Sequence, residues 1–224
     1  YYEINRDLPV SLAKKAKSEG VKQFIFLSSM IVYGNDKPLG ISFSIDINTK
    51  ENPDSFYGKS KLEAELLLQE LVDDSFIVLI VRLPMVYGPG CKGNFPKLLQ
   101  IAKKSPVCPL IENQRSMIYI DNLCEYLYQS IITKQGGIGF PQNEEYVSTT
   151  QVLKIASDYY HHKVFFTRIF NPLIYFLSRK VNIINRIYGT KVYDKSLFPD
   201  IKEYNIVDFL NSIKKCIDFD GVHI

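Results

Sequence analysis

The 224-residue sequence contains no tryptophan, three histidines and four cysteines. The cysteines form no Cys-x-x-Cys pair and have no cluster of histidines beside them, so the ligand spacing of a zinc site is missing. Neither a metal site nor a disulfide framework is expected. Unpaired cysteines of this kind are typical of reduced thiols, and they predict a cytoplasmic protein.

The sequence also has no large excess of charge of one sign and no long apolar run. The net charge is +3, which is too small to indicate a nucleic-acid partner. The longest apolar run, residues 76–83, is interrupted by Arg82 and is far shorter than the ~18 apolar residues that suggest a transmembrane helix. With 46% hydrophobic residues, the chain can bury one sizeable core beside a small second lobe.

Two short apolar runs without helical spacing predict buried strands of a parallel sheet. The first, residues 23–27, leads directly into Ser28 and Ser29, and the second, residues 76–83, leads into Pro84 and Val86. Groups at the carboxyl ends of such strands lie where open α/β sheets hold their ligands. The sequence therefore predicts a ligand site at this edge of the sheet.

A predicted helix opens with residues 56–61, Phe-Tyr-Gly-Lys-Ser-Lys. Tyr57 and Lys61 are four residues apart, so they share one face of that helix. A phenol ionises near pH ~10, and a nearby ammonium favours the phenolate, which suits a tyrosine that exchanges protons with a substrate. These two residues alone fit equally a core-facing tyrosine beside a solvated lysine.

The order of these motifs carries more weight than any one of them. A strand, Ser-Ser, Val-Tyr-Gly at residues 32–34 and then Tyr-Gly-Lys-Ser-Lys resembles the extended short-chain dehydrogenase/reductase family, in its nucleotide-sugar epimerase/dehydratase branch. The resemblance covers most of residues 1–123. It implies an α/β fold, a Rossmann-like doubly wound parallel sheet in residues 1–90, and a small substrate-binding lobe. The lobe would lie mainly in residues 91–224, interleaved with the last Rossmann elements.

A dinucleotide-binding fold should begin with a strand, a glycine-rich turn and an acidic residue about 20 positions later. The sequence has no such turn, and it starts at Tyr1 in a predicted helix. We therefore interpret it as N-terminally incomplete.

The resemblance implies hydride transfer between NAD or NADP and C4 of a UDP-linked hexose or N-acetylhexosamine. Tyr57 would exchange a proton with the C4 oxygen, Lys61 would bind the nicotinamide ribose, and Ser29 would bond the reacting oxygen. The remaining cofactor contacts that the resemblance implies are Asn5, Ser28, Pro84 and Val86. Asn5 fits equally an exposed helix amide.

Substrate contacts are implied in the second half of the chain. Asn94 and Phe95 correspond to a pair that reaches the nucleotide in the family, although Asn94 fits equally a plain helix cap. Arg115 corresponds to an arginine that binds the diphosphate, whose oxygens match the guanidinium fork.

Three positions depart from the family patterns. Met30 and Ile31 stand where sugar 4,6-dehydratases carry an Asp-Glu pair, so no dehydration is expected. Met85 replaces an asparagine of many 4-epimerases, which slightly favours a 4-keto reductase over a UDP-hexose 4-epimerase. A non-catalytic dinucleotide-binding sensor or scaffold is the alternative from another class, and the serine, tyrosine and lysine together argue against it.

A further helix is predicted from Leu173 to Tyr188, with Arg179, Lys180 and Arg186 on it. An apolar helix with basic residues can lie on a membrane surface. Packing on the sheet or on a partner is the commoner outcome, so no membrane contact is expected, and a homodimer is compatible with the family.

Overall fold

The computed structural model describes residues 1–199, 201 and 203–222. Its main sheet has three parallel strands in the order β1 (Gln23–Ser29), β3 (Ile77–Leu83) and β7 (Gly137–Gly139). Ser29 is paired in register with Leu83, so β1 and β3 end at the same edge of the sheet.

Helices cover both faces of this sheet. On one face, α1 (Leu8–Ser18) and α2 (Phe56–Gln69) pack against Phe26, Val78 and Ile80. On the other face, α4 (Ile120–Ile132) packs against Leu79 and Val81. This is the doubly wound, Rossmann-like α/β arrangement that the sequence predicts.

Three further strand pairs are parallel: β2 (Ser42–Ile45) with β9 (Thr190–Tyr193), β4 (Met85–Tyr87) with β6 (Met117–Tyr119), and β5 (Val107–Pro109) with β8 (Phe165–Thr167). A second core joins α3 (Asn94–Lys104), α5 (Thr149–Tyr159) and α8 (Phe209–Val222) to the β4–β6 pair. Since β7 belongs to the main sheet while α3 precedes it, the two cores interleave along the chain. The domain division at residue 90 stays a prediction.

The predicted helix of residues 1–18 differs in detail. A π-helical turn, Glu3–Asp7, precedes α1, and Pro9 lies in the first turn of α1, where its missing N–H costs nothing. Val10 and Ala13 are buried, whereas Leu8 and Leu12 are about half exposed. The buried face of α1 is therefore formed by Val10 and Ala13 and not by the two leucines.

The predicted helix from Leu173 to Tyr188 is two helices, α6 (Asn171–Ser178) and α7 (Asn182–Tyr188). The Asn185 side-chain amide donates to the Ser178 carbonyl at 2.8 Å, which ties the two helices together across the break. No helix within the described residues is long and apolar enough to cross a membrane. Across the same part of the chain, no group of three or more metal-ligating side chains comes together.

Candidate active site

Ser29 and Tyr57 meet at the carboxyl end of β1. Ser55 caps α2, its hydroxyl accepting from the Gly58 N–H at 3.0 Å, and so places Tyr57 in the first turn. A Cβ on Gly58 would lie 3.0 Å from the Ile31 carbonyl oxygen, so glycine allows α2 to approach the segment that follows β1. The Ser29 hydroxyl, which accepts from the Ile31 N–H at 3.3 Å, then lies near enough to the Tyr57 phenol to lower its pKa.

The electrostatics of Tyr57 differ from the sequence prediction. Burial raises the pKa of the Tyr57 phenol, the Ser29 hydroxyl lowers it, and Tyr1 raises it, with a net upward shift. The Lys61 ammonium does not lower it, because Lys61 donates to the Leu27 carbonyl at 2.9 Å and lies 4.5 Å from the centroid of the Phe26 ring. The phenol of this chain is therefore protonated at neutral pH.

The Ser28 side chain is not on the face that carries Ser29. Successive residues of a strand face opposite sides, and Ser28 points away from Ser29 into the interface with α2. Its side chain is 3% exposed and donates to the Glu65 carboxylate. The Ser28 side chain is therefore committed to Glu65, and the role of Ser28 as a cofactor contact stays a prediction.

A buried ion pair supports this end of the sheet. Arg82 on β3 contacts the Glu65 carboxylate through Nη2 at 2.7 Å, and the two side chains are 4% and 1% exposed. Arg82 also contacts Glu51 at 2.7 Å and the Tyr33 hydroxyl at 2.5 Å. Since Glu65 bonds Ser28, the pair fixes the strand beside Ser29 to the helix that carries Tyr57.

The groups around Tyr57 suit the ribose and nicotinamide end of a dinucleotide. Tyr57 is 36% exposed and Leu27 of β1 is 42% exposed, so the face that carries the phenol and the Lys61 ammonium is accessible. Phenol, hydroxyl and ammonium groups donate hydrogen bonds, and ribose oxygens can accept them. The residues present therefore fit NAD at this end.

The other predicted cofactor residues lie in the first helical turn and at the end of β3 and on β4. The Asn5 side chain donates to the Tyr1 carbonyl of its own turn at 3.1 Å. Pro84 is buried between β3 and β4, and Val86 is half-buried on β4. Their cofactor roles stay predictions.

A second, narrow cleft lies between β4, α3 and α7, with about 10 Å³ of space for water molecules. Met85, Asn94 and Arg115 all line it, so the structure brings together three residues that the sequence analysis singles out for the substrate. Asn94 is the first residue of α3 and makes no capping bond. Arg186 of α7 also lines the cleft, and sequence reasoning missed it as a site residue.

Phe95 is not part of this cleft through its side chain. It is 2% exposed, and its ring centroid is 4.8 Å from that of Tyr87 in the second core. Burial of the apolar ring in that core stabilises the fold more than its placement in a polar cleft would. The Phe95 side chain therefore belongs to the core, and the substrate contact of Phe95 stays a prediction.

Arg115 is held in place but keeps an unused donor. Nη2 pairs with Asp36 at 2.8 Å, and Nη1 donates to the Gly189 carbonyl at 3.1 Å. Nε is buried and has no hydrogen-bond partner among the described residues. An unsatisfied guanidinium donor is costly, and an anionic group in the cleft would satisfy it.

Lys191 adds positive charge near Arg115 that the sequence analysis also missed. It is 4% exposed. Burial lowers the pKa of Lys191 to about 8, Asp36 raises it and Arg115 lowers it. The Arg115 side of the cleft therefore holds two basic side chains, Arg115 and Lys191, with the Asp36 carboxylate beside them.

Comparisons with known proteins agree with this arrangement. The NAD dependent epimerase/dehydratase family matches residues 1–140. A UDP-glucose 4-epimerase from Vibrio cholerae is 40% identical over 135 residues, covering 58% of this chain and 40% of that protein. An N-acetyl-alpha-D-glucosaminyl-diphospho-ditrans,octacis-undecaprenol 4-epimerase from Escherichia coli O157:H7 is 33% identical over 132 residues, covering 57% and 38% respectively.

Solved structures share the fold. The UDP-N-acetylglucosamine 4-epimerase from Methanobrevibacter ruminantium M1, in complex with UDP-N-acetylmuramic acid, superposes with a TM-score of 0.74 at 17% identity, over 100% of this chain and 71% of that one. The Bordetella bronchiseptica enzyme WbmG, in complex with NAD and UDP, gives 0.69 at 20% identity, over 99% and 66%. The chain spans about two fifths of the length of the two curated relatives above.

Proposed function

This chain belongs to the NAD-dependent epimerase/dehydratase family, and from that premise we propose that it serves in hydride transfer at C4 of a diphosphate-linked hexose or N-acetylhexosamine. The supporting observation is that one chain places Ser29 near Tyr57 and two arginines, Arg115 and Arg186, along one cleft. Strand β3 leads from one to the other. Leu83 is the register partner of Ser29, and Met85, two residues after Leu83, lines the cleft.

In this proposal Tyr57 exchanges a proton with the C4 oxygen of the sugar, and Ser29 holds that oxygen by a hydrogen bond. NAD, when bound, supplies the hydride acceptor and, in its oxidised form, a positive charge that favours the phenolate. Lys61, Pro84 and Val86 are the residues that would hold it. The Lys61 ammonium, already oriented by the Leu27 carbonyl, would donate to a ribose oxygen.

The cleft would bind the diphosphate. Arg115 and Arg186 supply two guanidinium groups, and planar guanidinium forks match phosphate oxygens. The name of one relative includes UDP and that of the other includes a diphospho-undecaprenol. The diphosphate is common to both substrates, and for this chain we propose a UDP-sugar first.

Between the two C4 reactions, we now place the 4-epimerase first, because the relatives matched by residues of this chain are 4-epimerases. The 4-keto reductase remains the second candidate because Met85 lines the cleft. An apolar side chain there offers no hydrogen bond that could hold the sugar in either of two orientations.

Product analysis of the full-length protein separates the two candidates. An epimerase returns the hydride, so UDP-glucose and UDP-galactose, or their N-acetyl forms, should interconvert without net change in reduced-nicotinamide absorbance. A reductase should instead consume one NAD(P)H for each UDP-4-keto-6-deoxy-N-acetylhexosamine reduced. If folded protein catalyses neither reaction, the proposed function is wrong.

The diphosphate assignment predicts a loss of UDP affinity on removing either arginine. Arg115→Ala and Arg186→Ala are each expected to weaken UDP binding by about 1.5–3 kcal/mol, the usual range for a hydrogen bond to a charged group. Calorimetric titration with UDP measures the effect. Arg168→Ala, which removes an exposed arginine outside the cleft, is the matched control and should bind like the parent.

Of the two variants, Arg186→Ala gives the clearer result. It is exposed, so its replacement should leave folding intact, whereas Arg115→Ala also leaves Asp36 unpaired. Unchanged UDP affinity in Arg186→Ala would remove it from the proposed diphosphate site.

A further inference from the structure

The segment around α6 exposes an unusual amount of apolar surface. Ile169, Leu173 and Phe176 are 78%, 58% and 60% exposed. Together with four exposed neighbours they form what we call the α6 patch: Phe165, Ile169, Phe170, Leu173, Phe176, Val181 and Ile183. Contiguous apolar surface of this kind marks an interaction site more often than a free surface.

The exposure follows from how α6 is anchored. The Ser178 hydroxyl accepts from the Leu39 N–H at 3.3 Å, and the Asn171 amide donates to the Leu110 carbonyl at 2.9 Å. These polar contacts face the protein. Leu173 and Phe176 are three residues apart in α6, so they share the opposite, outward face, and Ile169 is exposed in the turn before the helix. The polar contacts of α6 therefore face the protein, and its apolar side faces outward.

The charges around the patch have one sign. Residues 159–193 contain no aspartate and no glutamate. Five basic side chains of that stretch are exposed: Lys163, Arg168, Arg179, Lys180 and Arg186. The Lys180 ammonium lies 5.9 Å from the centroid of the Phe176 ring, so positive charge directly borders the apolar surface. Glu112, which pairs with Arg168 at 2.5 Å, contributes one acid from another element.

We propose that the α6 patch docks on the surface of an anionic lipid bilayer. Apolar side chains that enter the headgroup boundary, bordered by lysine and arginine, are the two features that bind an interfacial helix to anionic lipid. The long basic side chains can keep their charges among the phosphates while their stems lie along apolar surface. This proposal replaces the expectation from sequence that α6 packs within the protein and that membrane contact is absent.

The positive charge around the α6 patch argues against two kinds of protein partner, a second copy of this chain and a different protein. In a symmetric dimer the same surface meets itself, so Arg179 and Lys180 of one copy would face basic residues of the other. Lysine is also depleted at interfaces between different proteins. An anionic bilayer instead complements the exposed Lys163, Arg179 and Lys180. The proposal does not depend on the proposed function, because the patch residues take no part in catalysis.

Flotation with lipid vesicles tests the apolar part. The full-length protein should float with vesicles of phosphatidylglycerol and phosphatidylcholine in equal amounts and remain unbound with phosphatidylcholine alone. Leu173→Ser combined with Phe176→Ser should lower the bound fraction by about tenfold or more. The matched control is Ile131→Ser combined with Ile132→Ser, two residues of α4 that are 55% and 65% exposed. This control should float like the parent.

Charge reversal tests the electrostatic part without touching apolar residues. Arg179→Glu combined with Lys180→Glu should weaken vesicle binding by at least about tenfold, whereas Lys103→Glu with Lys104→Glu, an exposed lysine pair on α3, should not. Circular dichroism verifies that each variant is folded, and light scattering reports its oligomeric state. The proposal is overturned if the parent does not bind anionic vesicles, if both pairs weaken binding equally, or if the patch variants instead dissociate an oligomer.

Discussion

Replacement of Arg82 by methionine is expected to lower the free energy of unfolding by about 3–5 kcal/mol, the cost of leaving a buried charge unpaired. Glu65 is 1% exposed. In the variant its carboxylate would keep only the Ser28 hydroxyl from the present network. Methionine roughly preserves the volume of the arginine stem, so the loss would reflect the missing charge more than a cavity. Urea unfolding followed by circular dichroism measures the change.

Two further variants separate the charge effect from general damage to β3. Arg82→Met combined with Glu65→Leu removes both charges and should recover most of the lost stability, because a buried pair replaced by apolar residues is often neutral. Arg168→Met removes an exposed pair whose partners are 66% and 85% exposed, and it should cost at most about 1 kcal/mol. If Arg82→Met unfolds within about 1 kcal/mol of the parent, the pair does not hold this end of the sheet.

The local elements of the sheet could be predicted because their signals are local. Apolar runs without helical spacing identify β1 and β3, and the predicted helix that opens with residues 56–61 is α2. The ion pair of Arg82 with Glu65 was missed, although the sequence contains a signal for it. An arginine in the middle of a buried strand needs a partner, and Glu65 lies four residues after Lys61 on the same helix.

The cleft could be predicted only in part, because its residues come from distant segments. Asn94 and Arg115 lie in motifs that resemble a known family, whereas Arg186 lies in a short helix without a recognised motif. Its position depends on how α7 packs behind α6, which no local pattern encodes. The exposure of α6 was missed for the same reason: an apolar stretch predicts a buried face, but only tertiary contacts decide which face is buried.

The proton shuttle assigned to Tyr57 predicts that Tyr57→Phe lowers turnover of the full-length protein by ~10² or more. Only one hydroxyl is removed, and even a full hydrogen bond is worth about 1 kcal/mol, so the fold should survive. The coupled assay that follows sugar interconversion or NAD(P)H consumption measures the loss. Tyr128→Phe, on a tyrosine of α4 that is 60% exposed, is the control and should react like the parent. Because burial raises the pKa of Tyr57 while Lys61 is directed at the Leu27 carbonyl, Lys61→Met should act chiefly by weakening cofactor binding. Turnover of Tyr57→Phe within about threefold of the parent would remove Tyr57 from the reaction.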